Sequence, residues 1–192
     1  MQHGLVLVAG FAGSGKTEVS KLLSRNLGWT LLDKDTLTRP LVDALGQAVS
    51  GDPDDRQSDA YLARIRPLEY ECLMSTTWEV LDMGGRVVAT APFVKEFGDL
   101  DWLDDVDLDC QMREVAYRLV WVQCDATTLR KRLTDRGASR DRWKLANWST
   151  WAASLVEPIL PDGVHRIDNS GATQHTLSEQ CEALATQLQS SG

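Results

Sequence analysis

Residues 5–17 read Leu5-Val6-Leu7-Val8-Ala9-Gly10-Phe11-Ala12-Gly13-Ser14-Gly15-Lys16-Thr17. The first five are apolar and rich in valine, which predicts a strand buried on both faces. The next eight satisfy the spacing G-x-x-x-x-G-K-[ST]. Beyond them Val19, Leu22, Leu23 and Leu27 fall on one face of a helix that Gly28 closes. A strand, a glycine-rich turn and a helix in that order form a cradle for phosphate. The glycines let successive amides point inward, and the helix N-terminus adds partial positive charge. Gly10, Ala12, Gly13, Ser14 and Gly15 would present the backbone, Lys16 would reach the β- and γ-phosphates, and Thr17 would offer its hydroxyl to Mg²⁺.

Outward from this segment, short hydrophobic runs alternate with stretches of helical period, which predicts an α/β chain with a parallel sheet. The expected strands are Leu5–Ala9, Thr30–Leu32, Arg86–Ala91, Arg118–Gln123 and Val164–Ile167. Residues 58–83 carry helical spacing, with Pro67 set to begin or kink the helix, and residues 50–57 read as an exposed connection without a functional role. Leu177, Cys181, Leu184 and Leu188 mark the buried stripe of a last helix.

At 192 residues, with 43% hydrophobic and 25% charged residues, the chain reads as one globular domain spanning 1–192. Its net charge of −8 disfavours nucleic acid as a partner. The cysteines Cys72, Cys110, Cys124 and Cys181 lie far apart, so neither a zinc site nor a disulfide framework is expected. No signal peptide and no apolar run near the roughly 20 residues of a membrane span is visible. The expectation is a cytoplasmic protein without a membrane partner. The oligomeric state leaves no trace in the sequence.

The cradle and the motifs after it resemble the P-loop kinases, over about four fifths of the chain. The likeness is to the small-molecule and polynucleotide kinases grouped with zeta toxins, gluconate kinase and chloramphenicol phosphotransferase. It implies a three-layer P-loop NTPase fold, a five-stranded parallel sheet in the order 2-3-1-4-5, a helical lid over about residues 132–148, and ATP with Mg²⁺ as the nucleotide and metal.

Leu31-Leu32-Asp33-Lys34-Asp35 places two carboxylates past the second strand, at the sheet edge where α/β proteins bind ligands. A carboxylate there can take the proton of an attacking hydroxyl. Both aspartates would also serve as caps for a helix beginning near Thr36. In the resembling kinases the second carboxylate of this segment is the catalytic base, which implies Asp35. Asp33 would then stand on the Mg²⁺ side. Arg39, one turn after Asp35, is placed to pair with it or to hold a substrate oxygen. The third strand ends in Thr90-Ala91-Pro92-Phe93, where many P-loop proteins carry an aspartate toward Mg²⁺. Phe93 is expected in the acceptor wall or in the core.

Five arginines, Arg130, Arg132, Arg136, Arg140 and Arg142, lie between residues 130 and 142. Arg132 and Arg136 are one turn apart before Gly137 and are expected to converge on phosphate. The resemblance assigns them the role of lid arginines. Trp148 and Trp151 would either stack on an acceptor or fasten the lid to the body. The acidic residues from Glu96 to Asp109 would face solvent or, if turned to the cleft, favour a neutral or cationic acceptor. Transfer of the γ-phosphoryl group of ATP to a hydroxyl of a small molecule, an antibiotic or other natural product among the candidates, is the function these residues point to. A polynucleotide 5′-hydroxyl kinase and a nucleotide-dependent switch or binding module are the alternatives.

Overall fold

The computed structural model describes residues 2–190. Strands β1 (Gln2–Ala9), β2 (Thr30–Asp33), β3 (Val87–Thr90), β4 (Val115–Gln123) and β5 (His165–Asp168) form one parallel sheet in the order β2-β3-β1-β4-β5. All five expected strands are present. β3 stops at Thr90, just before Ala91-Pro92, because proline has no N–H to continue the ladder. β1 and β4 extend further back than their apolar runs, since Gln2 pairs with Val115 ahead of a bulge at His3/Leu5.

Eight helices surround the sheet among the described residues: α1 (Lys16–Leu27), α2 (Lys34–Ser50), α3 (Arg66–Asp82), α4 (Leu100–Met112), α5 (Ala126–Arg136), α6 (Arg142–Ala146), α7 (Trp148–Ala153) and α8 (Leu177–Ser190). Alternation along β1 sends Leu5 and Leu7 to one face and Val6 and Val8 to the other. The first face packs on Leu73 of α3 and Leu103 and Val106 of α4, and the second on Val19 and Leu23 of α1 and Leu184 and Leu188 of α8. Helices therefore cover both faces of a fully buried central strand, giving three layers. None of the helices is long and apolar enough to cross a membrane.

The helical stretch expected over residues 58–83 is divided. A π-helical turn, Tyr61–Ile65, precedes α3, and Pro67 sits in the first turn of α3, where a missing N–H breaks no helical bond. The acidic stretch lies along α4 and the turn before it, with Asp99, Asp101, Asp104 and Asp105 exposed. Glu96 turns inward and pairs with Arg66 at 2.7 Å, and half-buried Asp109 pairs with Arg113 at 2.8 Å. The carboxyl ends of β1, β2, β3, β4 and β5 share one edge of the sheet, and the chemistry-bearing residues gather there.

Candidate active site

The cradle departs from β1 at Gly10, whose amide donates to the Pro92 carbonyl at 3.0 Å. Gly10 has φ 147°, and a Cβ there would lie 2.6 Å from the Val122 carbonyl oxygen, so only glycine fits between β1 and β4. Ala12 and Gly13 make the outer bend, closed by the Ser14 amide donating to Phe11 at 3.1 Å. Gly15, with φ 96°, caps α1 and leads into Lys16 and Thr17. The Ser14 hydroxyl is buried without a hydrogen-bond partner among the described residues.

Lys16 Nζ donates to the Phe11 carbonyl at 2.8 Å, so the ammonium lies across the mouth of its own loop. Burial pulls its pKa down to about 8, a shift that Asp35 and Asp33 oppose and Arg136 and Lys144 reinforce. Thr17 Oγ1 donates to Asp33 Oδ2 at 3.2 Å. Asp33 also caps α2, its Oδ1 accepting from the amides of Asp35 and Thr36. The cap role and the place beside the cradle are thus combined in one residue. A hydroxyl and a carboxylate beside a phosphate cradle are hard oxygen donors of the kind Mg²⁺ takes, the rest of its shell being phosphate and water. No cluster of three or more His, Cys, Asp or Glu side chains suited to a metal occurs among the described residues. Thr90 pairs in register with Asp33, but its buried hydroxyl donates to the Val8 carbonyl at 3.2 Å.

Asp35 stands in the first turn of α2, open to solvent on one side. Its Oδ1 meets Lys34 Nζ at 3.1 Å, and its Oδ2 meets Arg140 at 3.2 Å and Arg39 at 3.7 Å. Burial alone would push the carboxyl up, but Lys34, Arg140 and Arg39 outweigh it and hold Asp35 below the usual carboxylate range. The shift favours the carboxylate form of Asp35. Arg39 is therefore the partner of Asp35 in this structure, and Arg140, from the lid segment, joins it.

Arg132 and Arg136, expected to converge on phosphate, do not share a partner. Arg132 reaches the cradle, donating to the Ser14 carbonyl at 3.2 Å and to Asn169 Oδ1 at 3.0 Å. Arg136 turns instead to fully buried Asp141, its Nε donating to Oδ2 at 2.9 Å, while Lys144 binds the other oxygen at 3.1 Å. One turn of spacing puts them on one helical face, yet the carboxylate just beyond Gly137 captures the second. Residue 139 also contacts the exposed connection over residues 50–57, where Asp54 accepts from Ser139 at 2.6 Å.

Phe93 does not line an open acceptor wall. Its side chain is fully buried between Tyr70 and Phe97, with ring centroids 5.5 and 5.7 Å away. Its backbone sits at φ 45°, with the amide donating to the Tyr70 hydroxyl at 3.2 Å. Trp148 and Trp151 pack on each other at 5.2 Å, and Arg130 lies over the Trp148 ring, so these indoles fasten α7 to α5.

Four participants escaped the sequence reading. Asn169 Nδ2 donates to the Ser14 carbonyl at 2.7 Å, and a Cβ on Gly15 would lie 2.1 Å from that nitrogen. Buried Lys34 pairs with buried Glu69, and Tyr61 donates to Glu69 Oε2 at 2.6 Å. Glu69 had a readable signal, since Ile65, Glu69 and Leu73 form one i, i+4 stripe with a carboxylate in its middle.

Comparison with known proteins gives a match of residues 5–158 to the AAA_33 family model, described as an AAA domain. A shikimate kinase of Moorella thermoacetica is 56% identical over 34 residues, 18% of this chain and 20% of that protein. A shikimate kinase of Chlorobium luteolum is 31% identical over 109 residues, 53% of this chain and 50% of that protein. The chain thus spans half or less of the length of these curated relatives. A crystal structure of a putative kinase from Chloroflexus aurantiacus superposes with a TM-score of 0.72 at 19% identity, covering 97% of this chain and 98% of the other, a likeness of fold.

Proposed function

The chain belongs to the AAA_33 family, and from that premise we propose that it is an ATP-dependent kinase that phosphorylates a hydroxyl of a small molecule. The observation that carries this reading is the Asp35 carboxylate two residues beyond Asp33, which accepts from Thr17 of the cradle, on the same sheet edge as Lys16. The acceptor O–H gives its proton to Asp35 as the oxygen bonds to the γ-phosphorus, and the bond to the β-phosphate oxygen breaks with ADP leaving. Lys16 and Arg132 stabilise the charge that develops on the phosphoryl oxygens and the leaving group. Mg²⁺, held through Thr17 and Asp33, would neutralise charge on the β- and γ-phosphates.

The shikimate kinase relatives put hydroxylated carboxylic acids among the acceptors to try. Incubation of γ-labelled ATP with shikimate, gluconate, aminoglycosides, nucleosides and 5′-hydroxyl oligonucleotides tests the reading by where the label moves. Label on a small-molecule hydroxyl supports it. Label on the oligonucleotide alone would favour the polynucleotide kinase, and release as inorganic phosphate at the same rate with every acceptor would favour a switch. Arg132→Ala should lower kcat by about 10²-fold, with a smaller change in KM for ATP, because its contact strengthens as charge develops. Arg136→Ala should lower kcat less, since Asp141 already holds that guanidinium. Steady-state kinetics of both variants checks the order.

A further inference from the structure

Lys34 lies between the two aspartates of the site, yet its side chain is buried beneath α2, not directed to the cradle. Its Nζ touches Glu69 from α3 on one side and Asp35 Oδ1 on the other. Glu69 in turn is fixed from three directions. Tyr61, in the π-helical turn, donates to Oε2 at 2.6 Å, while Thr38 and Lys34 both reach Oε1. The single hydroxyl hydrogen of Thr38 is shared between Glu69 Oε1 at 3.3 Å and the nearer Lys34 carbonyl at 2.8 Å, which ties the network to the first turn of α2. A buried ammonium flanked by two carboxylates is satisfied only if both stay in place.

We infer that Lys34, clamped by Glu69 and Tyr61, is the positioning residue that fixes the Asp35 carboxylate for phosphoryl transfer. The inference rests on the reading of Asp35 as the base. Lys34 holds Oδ1 from the protein interior, while Arg140 and Arg39 approach Oδ2 at 3.2 and 3.7 Å. An acceptor hydroxyl would meet the carboxylate in the orientation that these contacts leave it. The orientation of the reacting oxygen is set by α3 and the turn before it, elements that contribute no atom to the reaction. Displacing a reacting group by about 1 Å can cost about 10²-fold in rate.

The test compares Lys34→Met/Glu69→Leu, Tyr61→Phe and Asp35→Asn with the wild-type protein. The reaction is Mg²⁺·ATP turnover, with water and with shikimate as acceptors, alongside crystal structures of the first two variants. Exchanging both members of a buried pair for apolar residues is commonly tolerated by the fold, so the double variant should fold, with a Tm lowered by the loss of the acceptor for the Tyr61 hydroxyl. Its kcat should fall about 10²-fold with KM for ATP near wild-type, and Asp35 should swing from its place in the crystal. Tyr61→Phe should lower kcat several-fold. Wild-type kcat in the double variant, or an unmoved Asp35, would overturn the inference. If the double variant does not fold, Tyr61→Phe decides, with an unchanged kcat and Asp35 position counting against it. If Asp35→Asn lowers turnover while the double variant does not, only the positioning role is lost. Unchanged turnover in Asp35→Asn would remove the base assignment itself.

Discussion

Asp35→Asn is expected to lower phosphoryl transfer by about 10²–10⁴-fold, the range a general base contributes, while leaving ATP affinity close to that of the wild-type protein. Asparagine keeps the size and shape of the side chain but cannot take a proton, so the acceptor hydroxyl has nowhere to send its own. The residue stands on α2 and makes no hydrogen bond to the cradle, whose amides come from residues 10–17. Binding of the nucleotide should therefore survive. Loss of its charge also releases Arg140 and Arg39, so the lid contact at 3.2 Å weakens along with the chemistry. Calorimetric titration with a non-hydrolysable ATP analogue, paired with label transfer, separates the two effects. A variant that no longer binds the analogue would make Asp35 a structural residue, and one that transfers label normally would strip it of its role.

Lys16→Ala should weaken ATP binding and turnover together, each by about 10²–10³-fold. The ammonium is the group at the loop mouth that can bridge the terminal phosphates, and its hydrogen bond to the Phe11 carbonyl holds it ready there. Desolvation, which pulls its pKa down to about 8, is a cost that a triphosphate would offset by supplying counter-charge. The same titration and turnover assay applies, and wild-type affinity in the alanine variant would withdraw the nucleotide assignment.

The sheet and the cradle were legible because their signals are local. Leu5–Ala9 is a continuous apolar run, and the glycines at 10, 13 and 15 sit where φ is positive. Asp33 and Asp35 follow directly on a strand end, so their place at the sheet edge could be read without knowing what faces them. The strand order followed from the resemblance, since no periodicity encodes which edges meet. What stayed hidden depends on partners distant in the chain. Glu69 lies 35 residues from Lys34, and Asn169 lies 155 residues from the Ser14 carbonyl it binds. Arg136 illustrates the opposite failure, where a sound local rule put it beside Arg132 and a buried carboxylate five residues further on redirected it. Phe93 was placed in the acceptor wall or the core, and its full burial puts it in the core.

β1 has a bonded neighbour on each side, with the proposed base carried beyond one of them and the arginine-bearing helix beyond the other. The two arms of the proposed reaction are thereby mounted on opposite flanks of a shared spine, yet Arg140 from the far flank reaches Asp35 at 3.2 Å. Change on one flank in the course of descent would be felt on the other, so the two would have to vary together.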